Sequence, residues 1–373
     1  MNSGEEPGLY VHVPFCKTKC AYCDFYSIAD ASAHRAFVKA VSAEALSYRE
    51  MFGRFDSLYF GGGTPSVMTE KDFTDLVNDI RSTFNFAPDT ECTVEMNPDD
   101  VTKKKLKLYK DLGINRVSLG LQSLNDRELV FLKRRHTAEG ARRAIDLVHG
   151  AGFVNWSIDL IYGLPGQTES DWMATLNEAA SRGPAHISCY ELTLHHETPL
   201  GRLAAKGGLN LPSAKKQERL FLATSQFLRD KGFDHYEVSN FARGKAYRSR
   251  HNLKYWRHAF YLGLGPAAHS FSNGTRWWNC ASVNEYCTAL SERRRPVEGS
   301  ETLSSEQLEL ERLFLGFRNL EGVEIRGALD NHQSSRVIED LIARNLVTRD
   351  ADRIVPTVKG YLLADRLPLL IPA

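Results

Sequence analysis

At 373 residues, with 42% hydrophobic and 25% charged side chains, the chain has core material for a large domain plus a smaller one and shows no wholesale disorder. Its 47 basic and 46 acidic residues leave a net charge of +1, which offers no electrostatic footprint for nucleic acid or a membrane surface; the runs Lys103-Lys104-Lys105 and Arg293-Arg294-Arg295 read as solvated faces. No apolar run is long enough to span a bilayer, the opening MNSGEEPG is not a signal-peptide pattern, and seven cysteines suit a reducing compartment, so a cytoplasmic protein is expected.

The first strand candidate, GLYVHV (8–13), leads into PFCKTKCAYCDF, where Cys16, Cys20 and Cys23 stand in the spacing CxxxCxxC. One loop with that spacing can wrap an iron–sulfur cluster, whereas structural zinc sites use paired CxxC units. Three thiolates cannot complete a cubane of four irons, so a small molecule must take the fourth position. Packed thiols or zinc are the bland alternative. Phe15, Tyr22, Phe25 and Tyr26, placed to shield a cluster from water, weigh against it. Cys92, Cys189, Cys280 and Cys287 show no such grouping and read as packed thiols.

Helical and strand-like stretches then alternate to about residue 240. Helix 31–51 precedes SLYFGG (57–62), helix 70–84 precedes CTVEMN (92–97), and helix 102–112 precedes RVSLGL (116–121). Helix 137–151 precedes WSIDLIYG (156–163), helix 169–181 precedes HISCYEL (186–192), and a last helix covers 213–231. Six parallel strands, each followed by a helix, predict an α/β barrel, open or closed, with functional residues at the carboxyl ends of the strands. The candidates fall there. The cysteine loop follows the first strand, Gly61-Gly62-Gly63-Thr64-Pro65 the second, Glu95 ends the third, Gln122 the fourth, and Asp159 lies in the fifth ahead of Tyr162-Gly163-Leu164-Pro165-Gly166. The GGGTP loop lacks both the dinucleotide fingerprint and the lysine of a phosphate loop. Beside the cysteine triplet it reads as a ligand-binding loop, open to an amine or carboxylate, rather than only a tight turn.

These segments resemble the radical S-adenosylmethionine (SAM) superfamily. YVHVPFCKTKCAYCDF, LYFGGGTPS, VSLGLQS and IDLIYGLPGQT are similar to the branch related to oxygen-independent coproporphyrinogen III oxidase, and within it to the haem chaperones. The resemblance implies an α/β fold, a partial barrel of six βα units, with a 4Fe-4S cluster on Cys16, Cys20 and Cys23. It further implies SAM chelating the open iron, and SAM contacts from Tyr10, Tyr22, Gly62, Gly63, Thr64, Glu95, Gln122, Arg134 and Asp159. Glu95 and Asp159 can accept hydrogen bonds from an amine or ribose hydroxyls, and Arg134 can pair with a carboxylate, with Arg135 as its neighbour in register. Phe25 stands where the oxidase branch carries a further cysteine, and the longer N-terminal arm of those oxidases is absent; both differences point away from coproporphyrinogen decarboxylation.

After the barrel, His251-Asn252-Leu253-Lys254-Tyr255-Trp256 matches the HNxxYW motif of the haem-chaperone branch. An isolated HxxxYW also describes a buried aromatic cluster around a hydrogen-bonded histidine. In this context the resemblance implies haem held outside the barrel by the imidazole of His251, with aromatic walls from Tyr255 and Trp256. His12, His195, His196 and His269 are weaker candidates, His12 as a packing partner near the cluster loop. From 302 to 366, helices, a hairpin and a last helix suggest a small winged-helix-like domain. Its acidic Glu306, Glu309, Glu311, Glu321 and Glu324 argue against a phosphate-binding face and for a lid or docking module. The expected organisation is a core at 1–240, a connecting region at 241–301 and a C-terminal domain at 302–373. Two functions stay open. One is a haem chaperone that passes haem to an acceptor protein, served by a reduced flavodoxin- or ferredoxin-type electron donor; the other is a radical SAM enzyme acting on a porphyrin, by coproporphyrinogen oxidation or haem degradation.

Overall fold

A computed structural model describes residues 4–324 and 332–371. Strands β1 (Gly8–Val13), β2 (Arg54–Gly62), β3 (Asn85–Met96), β4 (Arg116–Gln122), β5 (Asn155–Tyr162) and β6 (His186–Glu191) lie side by side in chain order, all parallel. Helices α1 (His34–Ser47), α2 (Glu70–Thr83) and α3 (Lys103–Asp111) follow the first three strands. Then α4 (Asp126–Phe131) and α5 (Ala138–Gly150) follow β4, α6 (Glu169–Ser181) follows β5, and α7 (Pro199–Ala205) and α8 (Ala214–Asp230) follow β6. Thr69, Thr102, Thr137, Thr168 and Ser213 each cap a helix by accepting a backbone N–H three residues on. These hydroxyls fix the starts of five helices within a residue of the sequence pattern.

Strand parity decides what faces where. Leu9, Val11 and Val13 of β1, Leu58 and Phe60 of β2, and Cys92, Val94 and Met96 of β3 are buried under the helices. The alternate residues, among them Tyr10, Tyr59, Glu95, Ser118 and Asp159, meet one another across the inner face.

The barrel stays open because both of its edges are already paired. Beyond β6 come β7 (Asp234–Glu237) and β8 (Asn240–Ala242), with β8 antiparallel to β6. Beside β1 lies β9 (Tyr261–Leu264), parallel to it, and then antiparallel β10 (His269–Ser272), β11 (Thr275–Asn279) and β12 (Val297–Thr302). Residues 241–301, expected as a connection, therefore complete the same 12-stranded sheet and add α9 (Arg250–Trp256) and α10 (Val283–Ser291). Short strands with no helix between β9, β10 and β11 leave too little periodicity to read.

One core cluster extends from Leu9 to Leu290 and a second from Leu313 to Ile371. The second holds α11 (Ser305–Gly316), β13 (Val323–Glu324), α12 (His332–Ala343) and the hairpin of β14 (Val347–Asp350) and β15 (Arg353–Pro356), with β13 pairing to β15. Among the described residues no helix is long and apolar enough to cross a membrane.

A buried carboxylate ties α1 to the late strands. Glu44 accepts hydrogen bonds from the backbone N–H of Gly265, Nδ2 of Asn279 and the hydroxyl of Tyr286. Burial nevertheless pushes its pKa up to about 7 from an ordinary 4.5. A raised carboxyl contributes fully below its unfolded value, and that contribution is lost as pH rises through the folded one. In urea denaturation the parent is therefore expected to lose stability relative to Glu44→Gln between about pH 4.5 and about pH 7. A difference that stays level across that window would refute this account.

Candidate functional site

The loop from Pro14 to Asp30 joins β1 to α1 and carries the three cysteines. Its neck is closed by two backbone bonds, Cys16 N–H to the Ile28 carbonyl at 2.9 Å and Ile28 N–H to the Pro14 carbonyl at 2.7 Å. Phe15 is buried against His34 and Phe37, ring centroids 4.3 and 5.3 Å away, and so anchors the neck to α1. The turn at the tip is held by Cys23 N–H to the Cys20 carbonyl. Cys16, Cys20 and Cys23 are free and half-buried. Phe25 is 65% exposed and shields nothing, contrary to expectation; the loop turns its side chain outward.

The end of β2 lies flat against this neck. Gly63 N–H donates to the Val13 carbonyl at 2.9 Å, and a Cβ on Gly63 would sit 2.8 Å from the carbonyl oxygens of Val13 and Phe15. Gly62 has φ +102°, and a side chain there would collide with the His12 ring at 2.5 Å. Part of the glycine run is thus explained by packing against the cysteine loop. Thr64 then brings its hydroxyl within 3.3 Å of Cys16 Sγ.

Across the mouth, Arg134 reaches in from the segment after α4. Its Nη1 donates to Cys20 Sγ at 3.3 Å, and its Nη2 to the Gly120 carbonyl at 2.6 Å and to Oδ1 of Asn97. Arg135 turns away, 3.5 Å from Asp100 and 3.8 Å from Asp99, so the register falls to Arg134. Gln122 ends β4 at φ +70°, where the β4–β5 register slips between Gly120 and Gln122. A non-glycine residue in left-handed backbone at a bulge marks a position shaped by something other than folding economy. Tyr22 packs on the side of Leu132, Ile161, Leu164 and Leu192.

Below the mouth stand two half-buried carboxylates. Glu95 Oε1 accepts from the Tyr59 hydroxyl at 2.7 Å, and burial, reinforced by the charge of Asp159, pushes its pKa up to about 7. Asp159 accepts from Ser118 Oγ at 2.9 Å and Ser157 Oγ at 3.4 Å; burial raises it too, against those hydroxyls. His12 is spoken for: Nε2 meets the Tyr26 carbonyl at 2.9 Å and Nδ1 the Tyr10 hydroxyl at 3.2 Å. His195 lies 3.4 Å from Asp24 at the rim, and His269 stacks on Trp278 in the outer strands.

The HNLKYW segment is α9, and it is not outside the barrel. It closes the amino-terminal end. His251 is 1% exposed; its Nδ1 meets Ser57 Oγ at 3.0 Å, its Nε2 meets the Tyr255 hydroxyl at 3.0 Å, and its backbone N–H donates to Glu91. The ring stacks on Tyr59 at 5.1 Å and Tyr10 at 6.1 Å, and burial pushes its pKa down to about 3. Trp256 packs elsewhere, with Tyr236, Ala242 and Leu253. The motif is missed as a floor because strand-end reasoning looks only to the carboxyl side. Tyr59, Asn97 and Ser118 are also missed, although Tyr59 shares inner-face parity with Gly61 and Asn97 directly follows β3.

The donor set fits a cluster. Among the described residues no three His, Cys, Asp or Glu side chains converge to hold a single metal ion, whereas a cubane spreads three thiolates over three irons. Burial pushes the Cys23 thiol up to about 11, a cost that bound iron reverses by stabilising the thiolate.

Comparisons with known proteins come next to this geometry. The Radical SAM superfamily profile matches residues 10–179. The chain is 34% identical to the heme chaperone HemW of Mycobacterium tuberculosis over 97% of this chain and 94% of that protein. It is 31% identical to the heme chaperone HemW of Bacillus subtilis, over 96% and 97%. Its structure superposes on the coproporphyrinogen III oxidase (HemN) of Escherichia coli with a TM-score of 0.81 at 24% identity, covering 98% of this chain and 90% of that one; this is a likeness of fold.

Replacing Cys16, Cys20 or Cys23 by Ala is expected to abolish iron–sulfur absorbance after anaerobic reconstitution, while Cys280→Ala and Cys287→Ala leave it intact. Full iron loading in the variant lacking all three would sink the assignment.

Proposed function

Because the chain belongs to the heme chaperone HemW family of radical SAM proteins, we propose that it binds haem and passes it to an acceptor protein. Family membership brings a 4Fe-4S cluster and SAM as cofactors. Cys16, Cys20 and Cys23 would hold the cluster. Tyr10, Tyr22, Gly62, Gly63, Thr64, Glu95, Gln122, Arg134 and Asp159 would hold SAM. When bound, the cluster supplies one electron toward the sulfonium of SAM, drawn from a reduced flavodoxin- or ferredoxin-type donor.

The chain's own residues do the rest. Arg134, beside Cys20 Sγ, stabilises thiolate charge and stands ready for a carboxylate. Glu95 and Asp159 offer acceptors to an amine or to ribose hydroxyls. Gly63, pressed on the loop neck, lets a backbone approach that no side chain would permit. His251 would ligate haem iron, with Tyr255 beside it, while Trp256 of the same motif packs with Tyr236, Ala242 and Leu253. In the conformation seen, ligation by Nε2 requires the Tyr255 hydroxyl to leave it.

The observation that supports this reading is the near-full-length relation to heme chaperones, which includes the HNLKYW helix. Phe25, exposed on the outer face of the loop, gives no thiol for the alternative, coproporphyrinogen oxidation. In anaerobic haem titrations the parent is expected to develop a Soret band, to give up haem to an apo-haemoprotein, and to leave coproporphyrinogen unconverted. His251→Ala should alter that band and weaken binding without loss of iron. Unaltered haem affinity in the variant refutes the ligand role, and robust decarboxylation by the parent refutes the chaperone reading.

Glu95→Ala and Asp159→Ala are each expected to weaken SAM binding by about 1–3 kcal/mol while iron content stays near that of the parent. Equilibrium dialysis showing parental SAM affinity in both would displace SAM from this part of the barrel.

A further inference from the structure

Among the described residues, four phenols stand close enough to feel the charge of Glu95: Tyr10 of β1, Tyr59 of β2, Tyr190 of β6 and Tyr255 of α9. Three of them are committed elsewhere. His12 turns Nε2 to the Tyr26 carbonyl, so that nitrogen carries the ring proton and Nδ1 is left to accept from the Tyr10 hydroxyl. Tyr255 meets His251, and Tyr190 meets Ser188. Of the four, only Tyr59 donates to Glu95, its hydroxyl 2.7 Å from Oε1, and the Gly62 N–H adds a backbone bond to the same carboxyl.

Packing aims the Tyr59 hydroxyl. Its ring stacks on His251 at 5.1 Å and 29° and lies 6.0 Å from Tyr10. Gly61, two residues on along β2 and therefore on the same face, leaves room for the bond: a Cβ there would lie 2.8 Å from the Tyr59 ring and 3.1 Å from the Glu95 carboxylate. Burial holds the phenol well above its ordinary pKa, so it stays a donor throughout the neutral range. The carboxyl is the more labile partner. Burial and the charge of Asp159 on β5 push Glu95 up, against the bonds from Tyr59 and the Gly62 N–H, which favour its charge. Ionised, it accepts at both oxygens; protonated, it turns one of them into a donor and no longer matches an N–H or O–H of a ligand. Arg134 across the mouth is engaged with Cys20, Asn97 and the Gly120 carbonyl.

We propose that Tyr59 is a positioning residue for SAM: by donating to Oε1 it keeps Glu95 charged and oriented to accept from the amine or the ribose hydroxyls of the cofactor. The inference rests on the reading of Glu95 as a SAM contact made above.

The test uses the full-length, cluster-reconstituted protein, with SAM affinity measured by equilibrium dialysis in the parent and in Tyr59→Phe, and iron content checked at each pH. Tyr59→Phe keeps the ring and its stacking but removes the donor. Losing a bond that favours the charged form raises the Glu95 carboxyl further, so the variant binds SAM more weakly than the parent at low pH and approaches it once both carboxyls are ionised. The ratio of the variant's dissociation constant to the parent's is expected to be about ten-fold near pH 6, falling to about two-fold or less near pH 9. Titration of the cofactor's own amine and of the cluster is common to both proteins and cancels in the ratio. A ratio equal at every pH, whether one or larger, would overturn the proposal, since a merely structural residue gives that result. Should Tyr59→Phe not fold, a ring-fluorinated tyrosine at position 59, which is a stronger donor, should carry the ratio below one at low pH; a level ratio there overturns the proposal equally. Parental SAM affinity in Glu95→Ala marks failure of the underlying reading instead, and takes the proposal with it.

Discussion

Lys254 is fully buried, and a buried ammonium must find partners or unfold what buries it. It pairs with Asp56 at 2.8 Å and Glu5 at 3.2 Å and donates to the Glu6 carbonyl at 2.6 Å. These partners come from the segment ahead of β1 and from the early part of β2, so one side chain clamps α9 across the amino-terminal end of the barrel. Arg257, one turn on, extends the clamp to Glu5 and to Glu321 near the second core. Breaking such a pair from one side costs about 3–5 kcal/mol because the other charge stays buried. The place of His251 follows: with Lys254 fixed, the residue three before it must enter between β1 and β2. Gly8 accommodates it, since a Cβ there would lie 2.9 Å from Lys254 and 3.0 Å from His251.

Above that floor the electrostatics are unfinished by the protein itself. Glu95 and Asp159 share the inner face, and burial raises both. Asp159 is surrounded by the hydroxyls of Ser118, Ser157 and Ser188, which favour its charge, whereas Glu95 has Tyr59 and a backbone amide and also feels Asp159. The cost of two negative groups therefore falls mainly on Glu95. A cation entering from the mouth would relieve it, and SAM carries positive charge on both its sulfonium and its amine. Arg134, already committed to Cys20 and the Gly120 carbonyl, does not fill that role.

Much of this was legible in the residues, and the boundary of legibility is physical. The central strands repeat apolar residues under the helices, and capping hydroxyls such as Thr168 announce helix starts, so the βα units could be read to about one residue at many ends. The cysteine spacing, the glycine run and the inner-face carboxylates lie at strand ends, where barrel geometry already looks for function. β3 began earlier than the pattern suggested, because Asn85 and Phe86 pair with Arg54 and Phe55 before polar residues interrupt the alternation. The four strands β9 to β12 read as a connection, since strands this short owe their form to the neighbours they pair with. The position of α9 was beyond reach for a related reason. Its seven residues carry no period long enough to show a face, and what seats them is an ion cluster drawn from residues 5, 6 and 56, far away in the chain.

The barrel has two ends, separated along β1 by the four steps from Gly8 to His12, roughly 13 Å at a strand's rise. Two tyrosines bridge part of that span on adjacent strands. On β1, Tyr10 bonds to His12, which meets the Tyr26 carbonyl of the cysteine loop. Burial holds His12 down to about 4, so it stays neutral near physiological pH, and its far partner is a backbone oxygen that does not change charge. That route is a brace. On β2, Tyr59 ends instead on Glu95, a carboxyl raised to about 7 by burial and by the charge of Asp159. Of these two bridges, the first ends on a backbone oxygen and the second on a titratable carboxyl, so a positive charge brought to the mouth would act on Glu95 and leave the His12 route unchanged.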